Sequence, residues 1–185
     1  MPSRDRRLTV SNRDSNQPLR PRLASERPHV LIVTSDEDLR VFLAEGLLIG
    51  GFWTSTVASG IQAIEVFRLR TFDVVLLDLD VQGFGGAEIL RRLRGTAGPS
   101  GRSAAQPALT DAPIVLVSAD PAAIDESRAR QLGADGLLVP PIELEDLIPY
   151  LFTVVDAWRD AHPGRPFADQ ANRLSAESEE DSPTS

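Results

Sequence analysis

A carboxylate follows a buried strand near the middle of the chain. Asp78 ends the apolar run 72–78, and the glycine-rich stretch 83–86 comes shortly after it. Open α/β sheets bind their ligands in the crevice beyond the carboxyl ends of their strands, and Asp78 falls at such an end. The glycine stretch has the spacing of neither nucleotide-binding fingerprint, so we interpret it as a flexible loop. Asp78 is therefore the first candidate for a functional residue.

The residue types in the chain exclude several kinds of chemistry. The 185 residues include no cysteine, which excludes disulfides, thiolate catalysis and cysteine-based metal sites. All 19 basic residues are arginine, so Schiff-base chemistry and a lysine-dependent phosphate site are excluded as well. His29 and His162 are the only histidines, and we interpret both as solvated. There is no Gly-x-Ser-x-Gly elbow, and we expect a protein that is not an enzyme.

Charge is distributed unevenly along the chain. The net charge of −8 argues against a dedicated nucleic-acid binder. We interpret residues 1–28, which are rich in arginine, as a disordered and solvated leader, with contact to an acidic partner or to nucleic acid as the alternative. Residues 161–185 are predicted to be an acidic disordered tail. No apolar run reaches the ~18 residues that span a bilayer and no secretory signal is present, so we expect a cytoplasmic protein without membrane contact.

Between these ends, strand patterns alternate with helix patterns. The predicted helices begin at the cap Asp36, at a capping box of Ser59 and Gln62, at Gly86, at Asp120 and at Leu144. The predicted strands are 29–33, 52–57, 73–77, 113–118 and 135–139. Five strands in strict alternation with five helices predict a flavodoxin-like, doubly wound α/β domain over 29–160, with parallel strands in the order 2-1-3-4-5.

Four blocks of sequence also fall in the order found in a known family. They are 30–40, 72–78, 113–119 and 133–141. With these blocks the chain resembles the receiver domains of bacterial response regulators, the CheY-like family. The resemblance implies that Asp78 corresponds to the aspartate that a histidine kinase phosphorylates. It also implies that Ser118 corresponds to the hydroxyl residue that contacts the phosphoryl group.

Three further features of the family's site are replaced in this chain. The resemblance implies an acidic pair after the first strand that helps to bind Mg²⁺, and Thr34 and Ser35 stand in its place. The family's phosphoryl-binding lysine is replaced by Pro140, and the aromatic residue of the fifth strand by Leu137. Neutral hydroxyls are poorer ligands for Mg²⁺ than carboxylates are. We therefore predict an atypical, degenerate receiver domain, a pseudo-receiver that needs neither a metal nor another cofactor.

A conventional interpretation stays open beside this prediction. Asp36 and Glu37 directly follow the replaced pair, and a shift by two residues preserves the facing of a strand. With Asp78 they would then be the ligands of Mg²⁺ in a regulator that a histidine kinase phosphorylates. Asp36 is, however, also the natural cap of the next helix.

The last helix is predicted to carry a partner surface. Tyr150, Phe152 and Trp158 are its expected exposed aromatic residues, and such residues are enriched at interfaces. We expect a stand-alone domain of a two-component, or phosphorelay, pathway that binds a signalling protein, a histidine kinase being one candidate, or forms a homodimer. The surface would comprise the fourth and fifth helices and the fifth strand. The resemblance also implies a cis peptide between Pro140 and Pro141.

Overall fold

Strands and helices alternate along the described residues, which are 26–96, 107–120 and 122–173 of a computed structural model. In chain order the elements are β1 (His29–Val33), α1 (Glu37–Ile49), β2 (Trp53–Val57), α2 (Gly60–Phe67), β3 (Val74–Asp78), α3 (Gly86–Leu93), β4 (Ile114–Val117), α4 (Glu126–Gln131), β5 (Gly136–Leu138) and α5 (Leu144–Ala161). A sixth, short helix covers 168–173, one more than the sequence predicts. None of the helices in this part of the chain has both the length and the apolar character needed to cross a bilayer.

The five strands form one parallel sheet in the order β2-β1-β3-β4-β5, which confirms the predicted fold class. Every residue of β1, β3 and β4 is buried, because helices cover both faces of the sheet. Leu31 and Val33 face the core under α2 and α3, while Val30 and Ile32 face the core under α1 and α5. Since β1, β3 and β4 are neighbours, their carboxyl ends meet at one edge of the sheet.

Helix starts follow the capping residues, with one difference from the sequence prediction. Asp36 caps α1 by accepting the Leu39 N–H at 3.0 Å, and Ser59 caps α2. The predicted start of α4 at Asp120 is wrong, because α4 begins at Glu126 with Asp125 as its cap. The Asp120 carboxylate instead accepts the Ala122 N–H at 2.8 Å within a local turn.

The chain after α5 packs against the opposite, amino-terminal edge of the sheet. The buried Asp73 carboxylate accepts the N–H of His29 at 2.7 Å and the N–H of Ala168 at 3.1 Å. Phe167 is also buried and lies under the Arg159 guanidinium, at 3.7 Å from its carbon to the ring centre. The prediction of a disordered tail from residue 161 is therefore corrected for 161–173. The apolar pair at 167 and 168 was overlooked within a polar composition; residues 174–185 lie outside the described part.

His29 also differs from its prediction as a solvated histidine. The side chain is buried, its Nε2 lies 2.8 Å from the Ser55 hydroxyl, and its ring meets the edge of Phe72 at 5.1 Å. Burial lowers the pKa of His29 below its ordinary value. His29 is thus a packed, neutral part of the sheet's amino-terminal edge. His162, at the end of α5, is half-buried and stacks on Trp158, so the prediction of a solvated histidine is only partly met there as well.

Candidate functional site

The Asp78 carboxylate lies at the carboxyl end of β3 and is 9% exposed. One oxygen, Oδ2, accepts a hydrogen bond from the Thr34 hydroxyl at 2.7 Å. The other, Oδ1, accepts the backbone N–H of Asp80 at 2.9 Å. Two neutral donors therefore hold a nearly buried carboxylate in one orientation.

Thr34 follows β1 and is 1% exposed. Its hydroxyl donates to Asp78 and accepts the Asp36 N–H at 3.1 Å, so its only proton and one of its two lone pairs are in use. Its carbonyl accepts a hydrogen bond from the Arg40 guanidinium at 3.1 Å. Arg40 thus brings a cation to the neighbourhood of the site from α1. Arg40 lies within the block 30–40, but its type and position in the sequence do not by themselves indicate this contact.

Gly86 explains how the loop after β3 comes so close to the site. A Cβ at this position would lie 2.5 Å from the Asp78 carbonyl oxygen and 2.7 Å from the Leu79 Cα. The Gly86 N–H donates to the Leu79 carbonyl at 3.0 Å. Only a residue without a side chain fits this approach. The glycine-rich stretch therefore has a steric role at its last position, which the interpretation as a flexible loop did not identify.

Ser118 lies at the same sheet edge, directly after β4, and is 1% exposed. The Ser118 backbone N–H donates to the Leu138 carbonyl, and this hydrogen bond joins the end of β4 to β5. The Ser118 hydroxyl donates to the Asp120 carbonyl at 2.9 Å. The structure thus places Ser118 at the edge where Asp78 lies, while its proton is used within its own loop.

The fifth strand contributes no charge to this edge. The peptide between Pro140 and Pro141 is cis, as predicted. Pro140 is exposed, and Leu137 is half-buried against the core. An aromatic side chain does reach β5, but from α5: the Tyr150 hydroxyl occupies the space that a Cβ on Gly136 would need. Burial of that hydroxyl raises the pKa of Tyr150.

Asp36 and Glu37, the alternative metal ligands, are both exposed. The Asp36 carboxylate is used as the cap of α1, through its bond to the Leu39 N–H. Among the described residues, no three carboxylates or histidines are grouped closely enough to hold a metal ion. The structure therefore does not bring Asp36 and Glu37 together with Asp78.

The predicted partner residues of α5 differ in their exposure. Phe152 is 8% exposed and stacks on Phe52 with ring centres 4.3 Å apart, so the prediction that it lies off the core is wrong. Trp158 is half-buried, and its indole N–H donates to the Asp111 carbonyl at 2.9 Å. Tyr150 alone of the three lines an open groove. The buried stripe of α5 is wider than the sequence pattern suggested, because α5 packs against α1 and also against Phe52, which directly precedes β2.

That groove runs between α4, β5 and α5 and encloses a cavity of about 130 Å³. Its apolar wall includes Leu137, Ile142 and Tyr150. Its rim carries three acidic residues, Glu126, Glu143 and Asp146. The groove therefore combines an apolar floor with negative charge.

A parallel sheet of this order, with a buried aspartate at the end of its third strand, defines the class of receiver domains. The family model described as "Response regulator receiver domain" matches residues 30–152, and the chain belongs to this family. The sensory transduction protein RegX3 of Mycolicibacterium smegmatis is 31% identical over 126 residues, which are 68% of this chain and 50% of that protein. RegX3 of Mycobacterium tuberculosis H37Rv shows the same identity and coverage. The chain spans about half the length of these curated relatives.

Solved structures show the same architecture. A CheY-like receiver domain from Methylobacillus flagellatus is 26% identical, with a TM-score of 0.57, over 69% of this chain and 98% of that one. The receiver domain of a sensor histidine kinase from Pseudomonas aeruginosa, solved with magnesium coordinated in its active-site cleft, is 22% identical with a TM-score of 0.58. That match covers 70% of this chain and 98% of the other, and it supports the fold alone. The chain is thus a receiver domain of two-component signalling.

Proposed function

We propose that this receiver domain acts by constitutive protein binding, without conventional Mg²⁺-dependent phosphorylation of Asp78. The observation that carries the proposal is the 2.7 Å hydrogen bond from Thr34 to Asp78. A neutral hydroxyl takes the place beside the aspartate where the family has a carboxylate. Asp78 is thereby satisfied by donors of its own chain.

The possible metal ligands at this edge of the sheet do not fit Mg²⁺. This cation prefers an octahedron of oxygen ligands and is usually bound through one or two carboxylates. Beside Asp78 the chain offers the hydroxyl of Thr34, whose proton and one lone pair are already in use. Arg40 is bonded to the Thr34 carbonyl, and its positive charge further disfavours a second cation there.

The fifth strand and the residue that follows β4 also provide no charge for phosphoryl transfer on the other side of the site. Transfer of a phosphoryl group depends on positioned cations that stabilise the developing negative charge. Pro140 offers no such charge, and Ser118 directs its hydroxyl to Asp120. We therefore assign Asp78 and Ser118 a structural role at the sheet edge.

The proposed partner surface is the groove between α4, β5 and α5, with Tyr150 in its wall. An apolar floor with an acidic rim suits a signalling protein that offers an apolar side chain beside basic residues. The two candidate partners are a second copy of the chain and a histidine kinase. We also infer that the domain has no catalytic activity of its own and acts in the cytoplasm.

The second candidate is a conventional regulator phosphorylated on Asp78, and the family membership favours it. Phosphorylation from a small-molecule phosphodonor with Mg²⁺ separates the two. We expect the natural chain to remain unmodified. A variant with the three family residues restored, Thr34→Asp, Ser35→Asp and Pro140→Lys, should gain one phosphoryl group at Asp78.

A further inference from the structure

Helix α1 presents an apolar face that no described residue covers. Val41 and Leu48 are 47% and 43% exposed, and Phe42 and Ile49 are 43% and 88% exposed. The two residues of each pair are seven positions apart, which is about two helical turns, so each pair forms a row along the helix. Two apolar rows therefore run along the solvent face of α1.

An acidic row runs between these apolar rows. Asp38 and Glu45 are also seven positions apart, and rotation by about 100° per residue places them between the two pairs. None of the ion pairs among the described residues includes either carboxylate. The face therefore offers both apolar area and unpaired negative charge.

The N-terminal segment enters the domain beside this face. The Arg27 guanidinium donates to the Leu48 carbonyl at 2.8 Å and lies 4.6 Å above the Trp53 ring. Helix α1 has no basic residue in its own last turn, where the helix dipole favours a cation. Arg27 fills that role, and its contacts hold the chain at residue 27 next to the carboxyl end of α1.

Residues 19–23 of the leader match the face in composition. Their sequence, Leu-Arg-Pro-Arg-Leu, combines two leucines with two arginines. The face from Val41 to Ile49 is about 12 Å long at 1.5 Å per residue. The four residues from 23 to 27 can span about 13 Å in extended form, at about 3.3 Å each. Residues 19–23 can therefore lie along the whole face while Arg27 keeps its contacts.

We propose that residues 19–23 dock on the exposed face of α1 within the same chain. Leu19 and Leu23 cover the apolar rows, and Arg20 and Arg22 pair with Asp38 and Glu45.

A spin label on the leader tests the proposal in the full-length protein. The chain has no cysteine, so Ser15→Cys gives one labelling position next to the proposed segment. We expect the oxidised label to reduce the amide NMR signals of residues 38–49 selectively, compared with the reduced label. Adding Arg20→Glu and Arg22→Glu should restore those signals. The matched control, Arg4→Glu with Arg6→Glu, makes the same change in charge outside the proposed segment and should leave the signal loss in place.

Two results would overturn the proposal. The first is that the amide signals of residues 38–49 are not selectively reduced, or that only the signals of other elements or of the acidic residues 174–185 are reduced. The other is an equal signal loss in a mixture of two proteins, one with the spin label at natural isotope abundance and one with ¹⁵N but no spin label. Such a loss would place the leader on a second copy. Loss that occurs only within one molecule and disappears with the Arg20 and Arg22 substitutions supports it.

Discussion

The Thr34 hydroxyl donates a 2.7 Å hydrogen bond to Oδ2 of Asp78, and this bond joins the end of β1 to the end of β3. Both side chains are at least nine-tenths buried. A buried carboxylate needs such donors, because leaving it unpaired costs the desolvation free energy of a charge. Thr34 is therefore a stabilising partner of Asp78.

Thr34→Val should lower the free energy of unfolding by about 1.5–3 kcal/mol, the usual contribution of a hydrogen bond to a charged group. Valine has nearly the same shape but cannot donate to Asp78. Thr34→Ser is the matched control, because it keeps the hydroxyl and loses only a methyl group. Urea unfolding at neutral pH measures both variants. A Thr34→Val variant as stable as Thr34→Ser would show that the bond does not stabilise the fold.

Mg²⁺ binding should be weak or undetectable in the natural chain and should appear when the acidic pair is restored. Thr34→Asp with Ser35→Asp adds two carboxylates beside Asp78, which are the ligands that this cation prefers. Calorimetric titration measures the binding directly. Asp36→Asn should leave the titration of the natural chain unchanged, since its carboxylate caps α1. Saturation of the natural chain in the low-millimolar range, abolished by Asp36→Asn, would favour the alternative metal site.

Asp73 should make the free energy of unfolding depend on pH. Burial raises its pKa above the ordinary value of 3.8, although the N–H bonds of His29 and Ala168 act in the opposite direction. The folded protein then binds this proton more tightly than the unfolded chain does. The contribution of Asp73 to stability is therefore fully present below the unfolded pKa and is lost as pH rises through the folded pKa.

Asp73→Asn removes this titration, so the stability of the natural chain relative to the variant should fall with rising pH and then become constant. Urea unfolding over a series of pH values, beginning below the ordinary aspartate pKa, measures the difference. A relative stability that increases with pH across this window would mean that the hydrogen bonds from His29 and Ala168 outweigh burial.

Reversing charge at the rim of the groove should weaken association. Glu143→Arg with Asp146→Arg replaces two exposed carboxylates without disturbing the core. Sedimentation velocity would follow a homodimer, and a pull-down with the natural chain as bait would follow another partner. Asp160→Arg, on the same helix but away from the groove, is the control. A protein that remains monomeric at high concentration and recovers no partner would contradict the proposed surface.

The fold was predictable because its signals are local and repeated. Continuous apolar runs such as 74–77 indicate buried parallel strands, and Asp36 and Ser59 mark helix starts through their own side chains. The start of α4 was missed because Asp120 and Asp125 are equally good caps by residue type. Only the tertiary structure determines which of them begins the helix.

The site could be predicted less completely. The positions of Asp78, Thr34 and Ser118 at one edge follow from strand order, but the partner of each hydroxyl does not. Phe152 was assigned to the surface because helical periodicity gives one stripe, whereas α5 is buried over a wider arc against Phe52. The packing of Ala168 on Asp73 joins residues 95 positions apart, and no local pattern indicates such a contact.

We expect that Asp78 does not accumulate a phosphoryl group. The most direct measurement is the intact mass of the full-length protein after incubation with a small-molecule phosphodonor and Mg²⁺. We predict an unchanged mass for the natural chain, and the gain of one phosphoryl group for the variant with Thr34→Asp, Ser35→Asp and Pro140→Lys. Rapid and stable gain of one phosphoryl group by the natural chain, abolished by Asp78→Asn, would contradict the account and establish a conventional phosphoaccepting regulator.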